Sequence, residues 1–206
     1  MIDESFHIPV LTEEVIDLLL VEKSGTFLDV TSGFGGHSAA ILEELNGGSL
    51  IATDQDPEAI RFLKSKFKNE ERISIHQARF SELHKLFSAN NFDGILADIG
   101  VSSYQLDTAE RGFSFMKDGP LDMRMNQNIG EDASSWLNNA PEQEISNIIW
   151  KYGEEKKAKR IAKAIVEARK SFKIRTTKEL AEIILEETPR RFTDKKHPAT
   201  KTFQAI

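Results

Sequence analysis

The first hundred residues alternate between two periods, and that alternation limits the fold more than any other feature. The β-rich runs TFLDV (26–30), SLIAT (49–53), ISIHQ (73–77) and FDGILADIG (92–100) are separated by helical patterns. Those patterns are VIDLLL behind Thr12, Glu13 and Glu14; HSAAILEEL (37–45), closed by Gly47 and Gly48; EAIRFLKSKF behind Pro57; and SELHKLF (81–87). Thr12 reads as a helix cap and Pro57 as a first-turn proline. Strands that alternate with helices pair in parallel and carry the helices on their faces. The expected fold class is therefore α/β. Four strands are few for an open α/β sheet, so part of the sheet is expected to be missing from the chain.

The pattern changes at about Val101. Residues 102–133 have no sustained period and mix glycine, proline, aspartate and aromatic residues, as functional loops do. Helices follow. Pro141 starts EQEISNIIWKY, and residues 154–172 place Ala158, Ile161, Ala162, Ile165, Ala168 and Phe172 on one face. The opposite face carries Lys156, Lys159, Arg160, Lys163 and Arg169. Thr176 and Glu179 have the spacing of a capping box.

Charge divides the chain in the same place. Residues 1–105 carry 8 basic and 17 acidic residues, residues 106–206 carry 19 and 16, and residues 151–201 alone carry 16 and 8. An acidic α/β half joined to a basic helical half implies a division of labour, with a solvated helix face as the plain alternative. Hydrophobic residues make up 39% and charged residues 29%, the balance of a globular protein. No run approaches the roughly 20 apolar residues of a membrane span, and MIDESFHIPV has no signal-peptide core. The absence of cysteine excludes disulfides, thiolate metal sites and a cysteine nucleophile. The expectation is a cytoplasmic enzyme with no membrane partner and no resident metal.

Candidate site residues lie at the carboxyl ends of the strands. DVTSGFGGHS (29–38) follows the first strand; Gly33 suits the sharp turn, and Gly35 and Gly36 suit close approach of a ligand to the backbone. A dinucleotide loop needs a third glycine at 38, where this chain has Ser38. Asp54 ends the second strand, 21 residues after Gly33, where a carboxylate can accept from both hydroxyls of a ribose. Together these imply an adenosine-containing ligand and leave NAD and S-adenosylmethionine open. Asp56, in DPEA, reads as a helix cap. Asp98 ends the fourth strand, where ligands of open α/β sheets bind, or else it caps the next turn. RGFSFMKDGPLDMRM (111–125) packs Arg111, Asp118, Asp122 and Arg124 among aromatic and methionine side chains. It reads either as a structured loop or as a base pocket.

DVTSGFGGHS, ATDQDPEAI, FDGILADIGVSSYQLDTAERGFSFMKDGPLDMRM, YGEEKKAKRIAKAIV and HPATKTFQAI resemble the successive motifs of the RsmH (MraW) family. Its members are bacterial S-adenosylmethionine-dependent methyltransferases that modify the N4 amine of a cytidine in the decoding region of 16S ribosomal RNA. The resemblance runs from about His7 to Ile206 and is most specific from Phe92 to Met125. It implies a Rossmann-like methyltransferase sheet (1–105), an inserted helical substrate domain (106–200) and the start of a return to the first domain (201–206). The strands that follow in the family are absent, so the chain is expected to be a fragment. The resemblance implies S-adenosylmethionine contacts at Gly35, Gly36, His37, Asp54, Phe80, Asp98 and Gln105. The expected partner is 16S rRNA within the small ribosomal subunit. Arg111, Phe113, Arg124 and His197 are candidates for contacts with the RNA.

N4 methylation needs in-line alignment of the methyl group and an acceptor for the amine hydrogens, but no covalent enzyme–base bond. That suits a chain without cysteine. DIGV stands where many amino-methyltransferases have D/N-P-P-Y/F. Asp98, or a carbonyl near Gly100, is the candidate acceptor. Three alternatives remain at this point: a non-catalytic RNA-binding or ribosome assembly factor, an NAD-dependent oxidoreductase, and a methyltransferase acting on protein or a small molecule.

Overall fold

Phe27, Leu28 and Val30 are consecutive apolar positions around one strand, and all three are buried because both faces of the sheet are covered there. The computed structural model describes residues 9–87, 92–189 and 196–206. In it β1 (Thr26–Asp29), β2 (Ser49–Asp54), β3 (Ile73–Gln77) and β4 (Gly94–Leu96) form one parallel sheet in the order β3-β2-β1-β4. Leu28 pairs with Ile51 on one side and Ile95 on the other. The chain steps outward from β1 to β3 and then returns to the far side of β1. The carboxyl ends of β1 and β4 therefore flank the point where strand order reverses, the usual ligand crevice of such sheets.

One face buries Phe27, Ile41, Leu42, Leu45 and Leu50 with Ile16, Leu19 and Phe67. These side chains come from the sheet, from α1 (Thr12–Leu19) and α2 (Gly36–Glu44), and from the end of α3 (Pro57–Lys66). The other face packs Leu28, Val30 and Ile51 against Leu83 of the four-residue α4 (Leu83–Leu86). Ile95 of the edge strand β4 is 59% exposed. These elements make up the first of two compact units, Met1–Gly100; the second is Val101–Ile206.

The second unit is helical: α5 (Ser103–Asp107), α6 (Ala133–Asn139), α7 (Glu142–Gly153), α8 (Ala158–Ser171), α9 (Thr177–Glu187) and α10 (Thr200–Ala205). Ile145, Ile149, Ile161, Ile165, Ile174, Leu180 and Ile184 are fully buried in its core. Each such side chain contributes about 2 kcal/mol by leaving water. α10 packs on α7, and Gly153 is required there because a Cβ would lie 2.3 Å from the Lys201 carbonyl.

Several local expectations need correction. Thr12 is the first residue of α1 and not its cap; Leu11 holds the cap position with φ 54°, and the Thr12 hydroxyl donates to the Pro9 carbonyl. The fourth strand is Gly94–Leu96 and not 92–100, because Asp93 turns to accept from Thr26 N–H and Asp98 is drawn onto Thr31. Residues 81–87 divide into a 3-10 turn, Phe80–Glu82, and α4. α8 starts at Ala158, since Glu154 takes the left-handed conformation that ends α7. Phe172, placed with the core face, is 46% exposed. Arg169, placed on the solvated face, donates at 2.7 Å to the carbonyls of Leu137 and Ala140 and so closes α6. α5 and α6 lie in or at the edge of the stretch read as loop, capped by Ser102 and Asp132.

A candidate cofactor-binding crevice and a braced loop

The loop after β1 is built around a buried carboxylate. Asp29 is 1% exposed. Its Oδ2 accepts from the Ser38 hydroxyl at 2.7 Å and its Oδ1 from Thr31 N–H at 3.2 Å. Burial raises the Asp29 carboxyl above the ordinary range, against the pull of these two donors and of His37. Ser38 is thus no defective glycine. It is fully buried and ties the first turn of α2 to the end of β1. Ser38→Ala should cost about 2 kcal/mol, because it leaves a buried carboxylate oxygen without its donor. The urea midpoint reads this directly, and an unchanged midpoint would remove Ser38 from the network.

Asp54 braces the same loop from β2. Its Oδ2 accepts from Gly33 N–H at 2.8 Å and its Oδ1 from Asp56 N–H at 2.8 Å. Burial raises this carboxyl too, opposed by the two backbone donors. Each carboxylate oxygen keeps lone-pair capacity beyond these bonds, so a diol still has acceptors there. Asp56 caps α3 as its sequence context implies, accepting from Glu58 N–H. Lys66 of α3 donates to the Gly35 carbonyl at 2.9 Å.

The glycines of this loop differ in what surrounds them, and the turn read at Gly33 is present as a left-handed backbone. Gly33 (φ +51°) has room for a Cβ, which would only touch the Thr31 carbonyl at 3.9 Å. Gly35 (φ +73°) has no room for a Cβ, which would fall 2.7 Å from Leu63 and 2.8 Å from Phe67. At Gly36 a Cβ would meet Pro9 at 2.5 Å. The side-chain space of Gly35 and Gly36 is thus filled by protein, and a ligand would meet their backbone groups instead. The first turn of α2 leaves N–H groups without helical carbonyl partners.

Asp98 lies beyond β4, across the crevice from this loop. Its N–H donates to Thr31 Oγ1 at 2.7 Å, and its Oδ2 stands 3.7 Å from His37 Nε2. The Asp98 side chain is 53% exposed and that of His37 only 9%. His37 Nδ1 is buried with no hydrogen-bond partner among the described residues. An orphaned donor–acceptor atom beside free helix N–H groups, an open glycine and a partly exposed carboxylate fits a polar ligand bearing its own charges. Phe80, 55% exposed, opens the turn after β3 at the same sheet end. Thr31, Asp29 and Lys66 were absent from the sequence-derived candidates. The first two lie inside the motif; Thr31 takes its partner Asp98 from 67 residues on, whereas the Asp29 carboxylate bonds within the motif, to Thr31 and Ser38.

In the second unit the other candidates are largely occupied. Gln105 is 5% exposed and forms the capping box of α5 with Ser102, accepting from its N–H at 3.0 Å. Arg111 is 2% exposed and donates to the carbonyls of Arg124 and Met125. Its guanidinium also lies 5.9 Å from the centre of the Phe113 ring. Arg124 forms a two-point pair with Asp122, with contacts at 2.9 and 2.6 Å. Burial alone would raise the Asp122 carboxyl, but the Arg124 guanidinium outweighs it and holds the group below its ordinary value. His197 Nδ1 accepts from Ala199 N–H, and its ring packs 4.5 Å from Phe115. These contacts brace the loop and the start of α10. They favour the structured-loop reading for Arg111 over direct exposure to a base. The loop itself is clamped to α9 through Leu121 N–H to the Arg175 carbonyl and Thr177 N–H to the Gly119 carbonyl.

A parallel sheet in the order 3-2-1-4, with a glycine turn after β1, an acidic residue ending β2 and a further acid after β4, is a Rossmann-like arrangement. The profile of the MraW methylase family matches residues 4–206, and the chain belongs to that family. It is 49% identical over 201 residues to the ribosomal RNA small subunit methyltransferase H of Xanthomonas euvesicatoria pv. vesicatoria, covering 97% of this chain and 59% of that protein. The protein of the same name from Stenotrophomonas maltophilia is 48% identical over 202 residues, covering 97% of this chain and 62% of its own length. The chain therefore spans about three fifths of the curated relatives it matches. Among the described residues, no helix is long and apolar enough to cross a membrane, and no acidic or histidine cluster could hold a metal.

Proposed function

We propose that the chain carries the cofactor-binding and RNA-recognition parts of an S-adenosylmethionine-dependent methyltransferase, acting on the N4 amine of a cytidine in the decoding region of 16S rRNA. The substrate in this reading is the small ribosomal subunit, and the compartment is the cytoplasm. The observation that carries it is the crevice of the first unit, where Asp54 holds the glycine turn at 2.8 Å and Asp98 stands 3.7 Å from a buried His37.

In this reading Gly35, Gly36 and His37 meet the amino-acid end of the cofactor. Asp54 accepts from the ribose hydroxyls and Phe80 covers the adenine. Gln105 belongs to the proposal through the family resemblance alone. When bound, S-adenosylmethionine supplies an electrophilic methyl group on a sulfonium. The protein's part is to align the cytosine amine with it and to exclude other geometries. A base inside a helix has to leave its stack to be reached. Asp98 accepts a proton of the amine as its nitrogen becomes more acidic, with His37 facing the carboxylate and Thr31 holding the Asp98 main chain. Residues 1–105 hold the cofactor, residues 106–200 recognise RNA, and residues 201–206 begin the return to the first domain. Phe113 and Arg124 are the loop groups assigned nearest the base.

The test is to incubate the full-length protein with labelled S-adenosylmethionine and small ribosomal subunits and to identify the modified nucleoside. N4-methylcytidine is expected. Label in another nucleoside, or in protein alone, would refute the reading.

A further inference from the structure

Several cations of the basic segment are already engaged within the protein. Arg160 pairs with Glu187, Lys170 with Glu167 and Lys178 with Glu182, and Arg169 is spent on α6. Arg190, Arg191 and Lys195 lie outside the described residues. A different arrangement occupies the turn between α7 and α8. Trp150 is 67% exposed and Tyr152 61% exposed at the end of α7. Lys151 lies over the Tyr152 ring, 5.0 Å from its centre. Lys156 and Lys157 are exposed where α8 begins, and Lys201 reaches the same turn by donating to the Glu154 carbonyl. Of the two acids there, Glu155 accepts from Lys157 N–H and so acts as a local cap.

Two large aromatic rings held in water are costly unless they meet something flat, and the four lysines at this turn favour an anionic partner. An acidic peptide would satisfy the charge but has no planar group for the rings. A duplex hides its base faces. A single-stranded RNA segment offers both phosphates and open base faces. We infer that the α7–α8 turn is a docking surface for unpaired RNA, with Lys151, Lys156, Lys157 and Lys201 on phosphates and Trp150 and Tyr152 stacking on bases. The inference rests on the proposed reaction only for the identity of the RNA, since the surface would serve any unpaired strand.

Trp136 and Trp150 are the two tryptophans, and Trp136 donates from Nε1 to Glu144 at 2.9 Å. In a Trp136→Phe background the fluorescence of Trp150 therefore reports on this surface alone. The probes are a mixed-sequence RNA of roughly ten nucleotides, the same sequence as a duplex, and a polyglutamate peptide. The single strand should quench Trp150 and bind more tightly than either alternative. In otherwise wild-type protein, Trp150→Ala should weaken binding of the single strand roughly tenfold. Lys156→Gln with Lys157→Gln should lower the log–log salt slope by about 1.4, the value for two phosphate contacts on a single strand. Lys170→Gln with Lys178→Gln, at residues already paired, should change it less.

Equal binding of duplex or polyglutamate, or an unchanged affinity in Trp150→Ala with intact circular dichroism, overturns the inference. If N4-methylcytidine still forms on small subunits while both variants bind the single strand normally, the surface is wrong and the proposed function stands. If the variants lose RNA as expected but the wild type never methylates it, the surface stands and the proposed function falls.

Discussion

Asp98→Ala is expected to lower methyl transfer to small-subunit RNA by about two orders of magnitude or more at saturating S-adenosylmethionine, the range for loss of a positioned proton acceptor. The argument is geometric. Asp98 is held by its own N–H on Thr31 Oγ1 at 2.7 Å, so its position does not depend on its carboxylate. The carboxylate is 53% exposed and faces His37 at 3.7 Å, which leaves it accessible to an incoming amine. Removing it should therefore spare the fold and act on turnover. Single-turnover rates and equilibrium cofactor binding, measured on the same variant, separate the two roles of Asp98. A large loss of rate with modest loss of affinity supports a part in the chemistry. Near-normal turnover once cofactor saturates would leave a main-chain carbonyl near Gly100 as the acceptor.

Asp29→Ala is expected to destabilise the protein by about 3 kcal/mol, with loss of the loop as a cofactor site. The change strips the partner from the Ser38 hydroxyl and from Thr31 N–H at once, and Thr31 in turn holds Asp98. The urea midpoint at neutral pH measures the loss, and a change below about 1 kcal/mol would show that the network is dispensable. Asp29→Asn tests the charge separately. Burial raises the Asp29 carboxyl in the folded state, so the fold binds that proton more tightly than the unfolded chain does. The stability this contributes is full below the ordinary carboxylate value, is lost as pH rises through the raised folded value, and is constant above it. Relative to Asp29→Asn, the wild type should lose stability from about pH 4 upward. Asp54 shifts in the same direction but is common to both proteins, so it cancels in the comparison.

Much of the architecture was legible because it is written in local chemistry. Asp56 before Pro57, and Thr176 three residues before Glu179, are caps whose donors and acceptors lie within one helical turn. The alternation of periods was sufficient to give a parallel sheet. The same capping grammar stands at Ser102 and Gln105, but the five-residue α5 is too short to display a period. β4 looks longer in the sequence than it is, because apolar residues continue past the point where Asp98 is drawn to Thr31, 67 residues earlier. The site shows the same division. Gly33, Asp54 and Asp98 could be picked out by motif, whereas Asp29 looks like an ordinary strand end until its bonds to Thr31 and Ser38 are seen. Arg111 illustrates the converse: a loop arginine beside aromatics suggests a nucleotide, yet its side chain is inside.

The missing side chain at Gly35 has a consequence for how sequences of this type can diverge. The space it vacates is taken by Leu63 and Phe67, so an alanine there requires both of these side chains to give way as well as a strained left-handed backbone. No single substitution elsewhere relieves both demands. Smaller residues at 63 and 67 would open the space but leave the backbone cost. Retention of this glycine across a lineage would therefore record an internal packing debt to a neighbouring helix, and would not by itself testify that a ligand is still bound.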